Sequence, residues 1–172
     1  MKGAMRKPLV TILVVGEGTA EEELLRHLKG LYITRDSGIS VTIKNARGKG
    51  AAHVVDVARR YSHGADFKIK VVLLDTDQGW NSKVQREARL AKIHVLESTP
   101  CLESTLLAIH RRPTDGFDSA QLKRQFEVRF GSPASNAAVY ATHFDARTLQ
   151  LAAAQVPLIA KLTSLFTNGD WN

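Results

Sequence analysis

Short apolar segments alternate with segments of helical periodicity along the first two thirds of the chain. The apolar segments are predicted strands, at 9–15, 39–43, 67–74 and 93–96. Helical spacing of aliphatic residues predicts helices that begin at 19, 51, 81 and 101. Strands and helices that alternate in this way indicate an α/β fold, with a Rossmann-like parallel four-stranded sheet and helices on both faces.

The turn after the first predicted strand carries the clearest local signals. Gly16-Glu17-Gly18 ends the strand, and Thr19 and Glu22 stand at the two positions of a capping box. In such a box each side chain satisfies a free backbone N–H at the start of the helix. The first unit is therefore predicted to be a strand, a tight turn and a helix.

The pattern changes after residue 110, and no strong strand signal follows. Asp118 can cap a helix that ends at Gly131. Asp145 can cap a last helix, which Pro157 should kink or break because proline lacks a backbone N–H. No linker separates this part from the rest. We predict a single domain over 1–172, with a core at about 9–110 and a C-terminal helical extension at about 111–172 packed on the sheet.

The composition excludes several classes of protein. Of the 172 residues, 44% are hydrophobic and 24% are charged, which excludes disorder as the main state. The apolar runs are far shorter than the roughly 18 residues of a membrane span, and acidic residues follow the basic start closely. We therefore expect a cytoplasmic protein without a membrane segment. One cysteine cannot form a disulfide within the chain, and the six histidines lack ligand spacing, so any metal should be held by oxygen.

Three acidic residues follow two of the predicted strands, Glu17 after the first and Asp75 and Asp77 after the third. In an open parallel sheet, ligands bind at the carboxyl ends of the strands. Alternate residues on an extended backbone share a face about 6–7 Å apart, which suits one or two cations such as Mg²⁺ or Mn²⁺. Aspartate also forms ordinary turns, and glutamate is favourable at a helix start, but the three acids together favour a metal site.

Two common phosphate-binding loops do not match the sequence. The dinucleotide fingerprint G-x-G-x-x-G has Glu21 in place of its third glycine, and Glu17 would repel a pyrophosphate. Residues 48–51 do not supply the G-x-x-x-x-G-K-[ST] loop of nucleoside triphosphatases. A site that handles phosphate through a metal ion is the alternative that these residues support.

Three motifs resemble a known family. Glu17-Gly18-Thr19-Ala20-Glu21 follows the first strand, Asp75-Thr76-Asp77 ends the third, and residues 98–110 read S-T-P-C-L-E-S-T-L-L-A-I-H. Together they are similar to the Toprim domain of topoisomerases, bacterial primases and certain nucleases. The closest resemblance is to RloB-like proteins, whose third motif resembles S-N-P-C-F-E-x-W-L-L-x-H. The chain departs from that motif at several positions, and the resemblance covers residues 9 to about 110.

The resemblance implies Mg²⁺-dependent phosphodiester chemistry on DNA or RNA, and a nuclease is our first hypothesis. Asp75 and Asp77 would hold the cation, and Glu17 would be a further ligand or the general acid or base. Glu103 is an additional acidic candidate for the metal site. RloB-like proteins resemble components of phage defence that often stand beside an ATPase. The alternative is therefore a nucleic-acid- or nucleotide-binding module whose activity depends on a partner such as an ATPase subunit.

Basic residues outnumber acidic ones, 24 Lys and Arg against 17 Asp and Glu, which gives a net charge of +7. An excess of this sign favours a polyanionic partner. Lys44, Arg47 and Lys49 lie at a loop that leads into a predicted helix start, where backbone N–H groups can receive phosphate. Arg111 and Arg112 follow the fourth helix. These five residues are predicted to bind nucleic-acid phosphates, with an affinity that declines with salt.

Overall fold

A four-stranded parallel sheet forms the centre of the computed structural model, which describes residues 9–171. Its strands are β1 (Val10–Gly16), β2 (Ile39–Asn45), β3 (Ile69–Asp75) and β4 (His94–Ser98), in the spatial order β2-β1-β3-β4. The predicted α/β class and the four predicted strands are confirmed, with bounds that differ by one or two residues. The basic start of the chain, residues 1–7, lies outside the described residues.

Four helices follow the four strands: α1 (Thr19–Tyr32), α2 (Ala51–Ser62), α3 (Ser82–Leu90) and α4 (Leu102–Ile109). The extension adds α5 (Ser119–Phe130), α6 (Ala137–His143), α7 (Ala146–Ala153) and α8 (Pro157–Asn168). Helix α6 was not predicted, because it spans only two turns and lacks a strong apolar stripe.

The predicted boundaries of the extension are largely correct. Asp118 caps α5, since its carboxylate accepts a hydrogen bond of 2.8 Å from the Gln121 N–H, and Gly131 ends the helix at φ +76°. Asp145 caps α7 in the same way. The predicted break near Pro157 is confirmed: α7 ends at Ala153, and Pro157, which has no N–H to continue a helix, starts α8.

Helices cover both faces of the sheet, as predicted, and alternate strand residues point to opposite cores. Ile12, Val14, Val71 and Leu73 belong to a core shared with α1 and with the helices from α4 to α8. Leu13, Val15, Val72 and Leu74 belong to a second core shared with α2 and α3. The strands read as continuous apolar runs because both of their faces are buried.

The extension packs against the α/β part through the first of these cores. Helix α8 contacts α1 and β4, α5 contacts α4, and α6 contacts α1. Close to the end of the described chain, the Trp171 ring stacks on His94 of β4 at a centroid distance of 4.4 Å. The predicted packing of the extension on the sheet is therefore confirmed.

Within residues 9–171, every helix is too short or too polar to cross a bilayer.

Candidate metal centre

The loops at the carboxyl ends of the strands surround a cavity of about 680 Å³. Five acidic side chains line it: Glu17, Glu21, Asp75, Asp77 and Glu103. Two lysines also line it, Lys49 from the loop after β2 and Lys123 from α5. The four acids that the sequence predicted as metal ligands are thus brought together, at the edge where parallel sheets bind ligands.

Glu17 lies directly between β1 and β3. Its N–H donates to the Leu73 carbonyl at 3.0 Å, which continues the pairing of the two strands by one residue. Its carboxylate oxygen Oε2 accepts a hydrogen bond of 2.9 Å from the Asp75 N–H. The residue is only 8% exposed. One carboxylate oxygen of Glu17 is therefore fixed against β3.

The first turn of α1 holds a fifth acid, Glu21, that we had not predicted as part of the site. Gly16 permits it to come this close, because a Cβ on Gly16 would lie 2.7 Å from the Glu21 Cβ. The Glu21 carboxylate accepts a hydrogen bond of 2.9 Å from the Gly18 N–H. Glu21 is 5% exposed, so this hydrogen bond is formed by a nearly buried carboxylate.

The predicted capping box at Thr19 and Glu22 is wrong. Gly18 is the N-cap residue, Thr19 is already helical, and Glu21 occupies the N3 position. Glu22 instead accepts hydrogen bonds from Arg26 and from the Asn45 side chain. The error arose because the turn is one residue shorter than Thr19 suggested, and glycine can begin a helix without a side-chain oxygen.

The two aspartates of the D-x-D motif differ in their surroundings. Asp75 is the last residue of β3, and its Oδ1 atom is buried without a hydrogen-bond partner. Residues 76–79 form a turn, so the extended geometry expected for the motif does not hold beyond Asp75. Asp77 is exposed on this turn and accepts a hydrogen bond from the Ser119 hydroxyl at the start of α5.

The β3 turn is tied to the loop after β4. The Thr76 N–H donates to the Ser98 carbonyl at 3.0 Å, and the Asp77 N–H donates to the Pro100 carbonyl at 3.3 Å. This loop leads into α4, whose first turn carries Glu103 at 8% exposure. The third motif of the sequence thus supplies both a fixed backbone for Asp77 and one acid of the cavity.

Burial and mutual repulsion raise the pKa of several carboxyl groups in the cavity. Burial, followed by the charge of Glu21, raises the pKa of Asp75 to about 8. Burial also raises the pKa of Glu21 to about 7, against the opposing effect of its backbone hydrogen bonds. The pKa of Glu17 is raised in the same direction by burial. Asp75 therefore keeps its proton at neutral pH, and Glu21 titrates close to neutral pH, unless positive charge is placed beside them.

Lys123 is a cation at the cavity that was not predicted from the sequence. Burial lowers its pKa, but the charges of Glu103 and Asp75 outweigh burial and raise it. Within residues 9–171, no carboxylate lies within 4.0 Å of its ammonium group as an ion pair. Lys123 therefore adds a positive charge to the cavity without neutralising any single acid.

The loop between β2 and α2 forms part of the cavity wall. Arg47, Gly48, Lys49 and Gly50 all have positive φ, between +61° and +81°. The Gly48 N–H donates to the Glu17 carbonyl at 2.8 Å, so this loop is bonded directly to the first turn of the site. A Cβ on Gly50 would lie 3.2 Å from the Gln78 carbonyl oxygen, which explains why glycine suits this close approach.

The predicted phosphate-binding residues are not all at the cavity. Lys49 lines it, and Arg47 is exposed two residues earlier on the same loop. Lys44 is on β2, where its ammonium group lies 4.7 Å from the centre of the Tyr61 ring. Arg111 and Arg112 follow the far end of α4, and Arg111 lines a separate cavity of about 220 Å³. Only the loop at 47–49 is therefore beside the acids.

The oxygen-rich lining fits a hard cation such as Mg²⁺ or Mn²⁺, which carboxylates bind well. In the described part of the chain, however, no three His, Cys, Asp or Glu side chains are arranged to hold a metal ion jointly. The acids share a cavity without forming a complete ligand shell. The metal-ligand roles predicted for Glu17, Asp75, Asp77 and Glu103 accordingly stay predictions.

Sequence reasoning missed Glu21, Ser119 and Lys123 as members of the site. Glu21 ends the motif Glu17-Gly18-Thr19-Ala20-Glu21, so its place in that motif could have indicated it. Lys123 follows Ser119 by four residues on α5, which is the spacing of one helical turn. Nothing local could have indicated Ser119 and Lys123, because they reach the site only through the packing of α5.

Comparisons with known proteins return no matching family model, no similar curated protein and no similar solved structure. The likeness to RloB-like Toprim proteins therefore stays a resemblance of three short motifs, from which Glu17, Asp75, Asp77 and Glu103 line one cavity.

Proposed function

We propose that this protein is a divalent-cation-dependent enzyme that acts on phosphodiester bonds of nucleic acid, most simply a nuclease. One observation carries the proposal: four nearly buried or half-buried acids, Glu17, Glu21, Asp75 and Glu103, share a cavity with two lysines at the ligand-binding edge of a parallel sheet. Such a concentration of negative charge is unfavourable without a cation, and structural reasons alone do not account for it.

Asp75 and Asp77 would hold Mg²⁺ or Mn²⁺, with Glu17 and Glu103 beside them. Mg²⁺ usually keeps several water molecules and takes only one or two carboxylates together with substrate phosphate. A complete shell of protein ligands is therefore not required. The bound cation would offset the charge of the phosphate and activate water for attack. The unpartnered Asp75 Oδ1 is the oxygen that gains most from such a cation.

The remaining groups have roles that follow from their chemistry. Glu17 has one oxygen fixed by the Asp75 N–H, and burial raises its pKa, so this carboxyl group is suited to hold and transfer a proton. Lys123 on α5 and Lys49 on the loop after β2 carry positive charge at the cavity and would bind phosphate oxygens. A phosphate placed between them would be positioned beside the acids.

A second candidate function is a binding module whose chemistry needs a partner subunit. The observation that favours it is the absence of three jointly arranged metal-binding side chains among residues 9–171. A partner, such as the ATPase that the RloB-like resemblance implies, would then complete the site. A role in phage defence rests on the same resemblance.

The test is incubation of the purified chain with labelled single- and double-stranded DNA and RNA, with Mn²⁺ or Mg²⁺ or with a chelator. Glu17→Gln and Asp75→Asn replace each carboxylate by an amide of the same shape. Asp115→Asn makes the same chemical change on an exposed loop and is the matched control. We expect cleavage that requires the cation, survives in the control, and falls on the order of 100-fold or more in the two site variants.

Two outcomes would decide against the nuclease. Cleavage that is unchanged in both site variants would rule out the acidic cavity as its source. Binding of nucleic acid without cleavage, under all these conditions, would favour the module that depends on a partner.

A further inference from the structure

The wall of the cavity is unusual in what it offers to a nucleic acid. In the described residues, its lining consists of acids, lysines, glycines, alanines and three small or medium polar side chains, Thr19, Gln78 and Ser135. No aromatic ring and no large aliphatic side chain of residues 9–171 lines it. Sites that recognise a free nucleotide or an extruded base are, by contrast, mostly apolar and aromatic.

Bases need flat or apolar faces to be held firmly. Stacking on an aromatic side chain strengthens binding by about 5- to 150-fold per base. Base edges are read mainly by arginine, asparagine and glutamine, through paired hydrogen bonds. Gln78 has the single side-chain amide at the cavity in the described chain, and it is exposed on a turn. Its backbone carbonyl already accepts a hydrogen bond from the Ala51 N–H.

The sugar-phosphate backbone finds better partners there. Lys49 and Lys123 are point charges suited to phosphate oxygens. Gly48 and Gly50 expose main chain without side chains, so a strand can approach the loop closely. A cation among the acids would add a third contact to phosphate. All of these contacts are the same for every base.

Resting on the proposed function, we infer that the cavity recognises the sugar-phosphate backbone of a nucleic-acid strand and not its bases. The substrate is then a strand rather than a free nucleotide, and its sequence has little effect on binding. The affinity comes from charge, so it declines steeply as salt increases.

One exposed aromatic side chain supports the opposite hypothesis, in which a base stacks beside the site. Phe117 is 37% exposed and precedes Ser119, which contacts Asp77, by two residues. Its ring does not line the cavity. Phe117→Ala therefore separates the two readings, because it removes a stacking surface beside the site and leaves every cavity residue in place.

The experiment measures binding of fluorescent strands of about 20 nucleotides, a length above the footprint of a small single-strand site. The probes are poly-dT, poly-dA, poly-dC and a strand of the same length without bases, with Ca²⁺ in place of Mg²⁺ to limit cleavage. We expect the four dissociation constants to agree within about threefold, since stacking would separate them more. Lys49→Ala and Lys123→Ala should each reduce the slope of log affinity against log salt by about one.

The inference is overturned if the strand without bases binds on the order of tenfold more weakly than poly-dT, or if Phe117→Ala weakens poly-dT alone by about fivefold. Cation-dependent cleavage that prefers one base would overturn it too, while the proposed function stands. If no strand binds and none is cleaved, the proposed function fails and the inference fails with it.

Discussion

Replacing Asp75 with asparagine should make the protein without a divalent cation more stable, although Asp75 is a candidate catalytic residue. Burial and the neighbouring acids raise the pKa of Asp75 to about 8, against an ordinary value close to 4 in the unfolded chain. Between these values the folded state keeps a proton that the unfolded state has lost. The free energy of unfolding therefore decreases as the pH rises from about 4 to about 8, and this group contributes no further change above that.

The size of the effect follows from the two pKa values. The unfolded-state pKa lies about three units below pH 7, and each unit corresponds to about 1.4 kcal/mol, so the penalty at pH 7 relative to pH 4 is about 4 kcal/mol. Asparagine does not titrate, so the pH-dependent penalty on the free energy of unfolding is removed, but its buried amide still has a desolvation cost. We therefore expect Asp75→Asn to raise the free energy of unfolding by about 2 kcal/mol at pH 7, and by little at about pH 4.

The measurement is urea unfolding followed by far-UV circular dichroism, between about pH 4 and pH 8. It is made first with a chelator and then with Mg²⁺. A ligand that binds only the folded state stabilises it, so Mg²⁺ should stabilise the wild type and have little effect on the variant. Asp115→Asn, on an exposed loop, should change stability by less than about 0.5 kcal/mol at every pH.

Three results would refute parts of this reasoning. A variant that is less stable than the wild type at about pH 7 would show that the buried carboxyl is not a source of repulsion. A stability difference that does not depend on pH would show that Asp75 does not hold a proton in the folded state. Equal stabilisation of both proteins by Mg²⁺ would remove Asp75 from the metal site.

Gly16→Ala should lower the free energy of unfolding by about 1–3 kcal/mol in urea, because its Cβ would lie 2.7 Å from the Glu21 Cβ. Gly30→Ala, which meets nothing within 4 Å on α1, should instead raise it by about 0.5–1 kcal/mol. Tyr140→Phe should lower the melting temperature through a loss of about 1–3 kcal/mol, because its buried hydroxyl donates to the Ala134 carbonyl at 2.7 Å and that carbonyl would lose this partner. Lys123→Met should reduce cleavage in Mn²⁺ by about 10- to 100-fold, as measured by initial rates, and should slightly lower the free energy of unfolding in urea, because the acids lose a neighbouring positive charge.

Two of these predictions have outcomes that would directly contradict them. A Gly16 variant as stable as the wild type would mean that α1 shifts without cost. Full activity in the Lys123 variant would place the phosphate elsewhere in the cavity. Lys83→Met, at an exposed position on α3, is the matched control for that loss of charge.

The sheet could be predicted from sequence because its determinants are local. The run from Ile12 to Val15 is apolar on both faces, and such runs recur between helical segments. Gly131 and Asp118 were also readable, since glycine at positive φ and aspartate at an N-cap act within a few residues. The cap of α1 was misread because two neighbouring residues, Gly18 and Thr19, both suit that position, and only packing decides between them.

The acids of the site were partly predictable for a different reason. Glu17 follows β1 and Asp75 is the last residue of β3. These two strands lie side by side, so the topology alone brings both acids to one edge. The sequence could not predict that Asp75 and Asp77 lie in different surroundings, because this depends on where β3 ends. The turn at 76–79 begins there as the chain bonds to the Ser98 and Pro100 carbonyls, which is a contact between distant segments.

Helix α5 changes the meaning of the C-terminal extension. The sequence indicated helices that cover the sheet, yet Ser119 contacts Asp77, and Lys123 lies one turn further along the same cavity. The core residues Leu122 and Phe126 on this helix are fully buried, so α5 cannot move away without exposing apolar surface. The charge of Lys123 is thereby held beside acids that are unfavourable on their own. Removal of the extension would therefore be expected to abolish both the fold and the site, and the region that resembles Toprim cannot be treated as sufficient by itself.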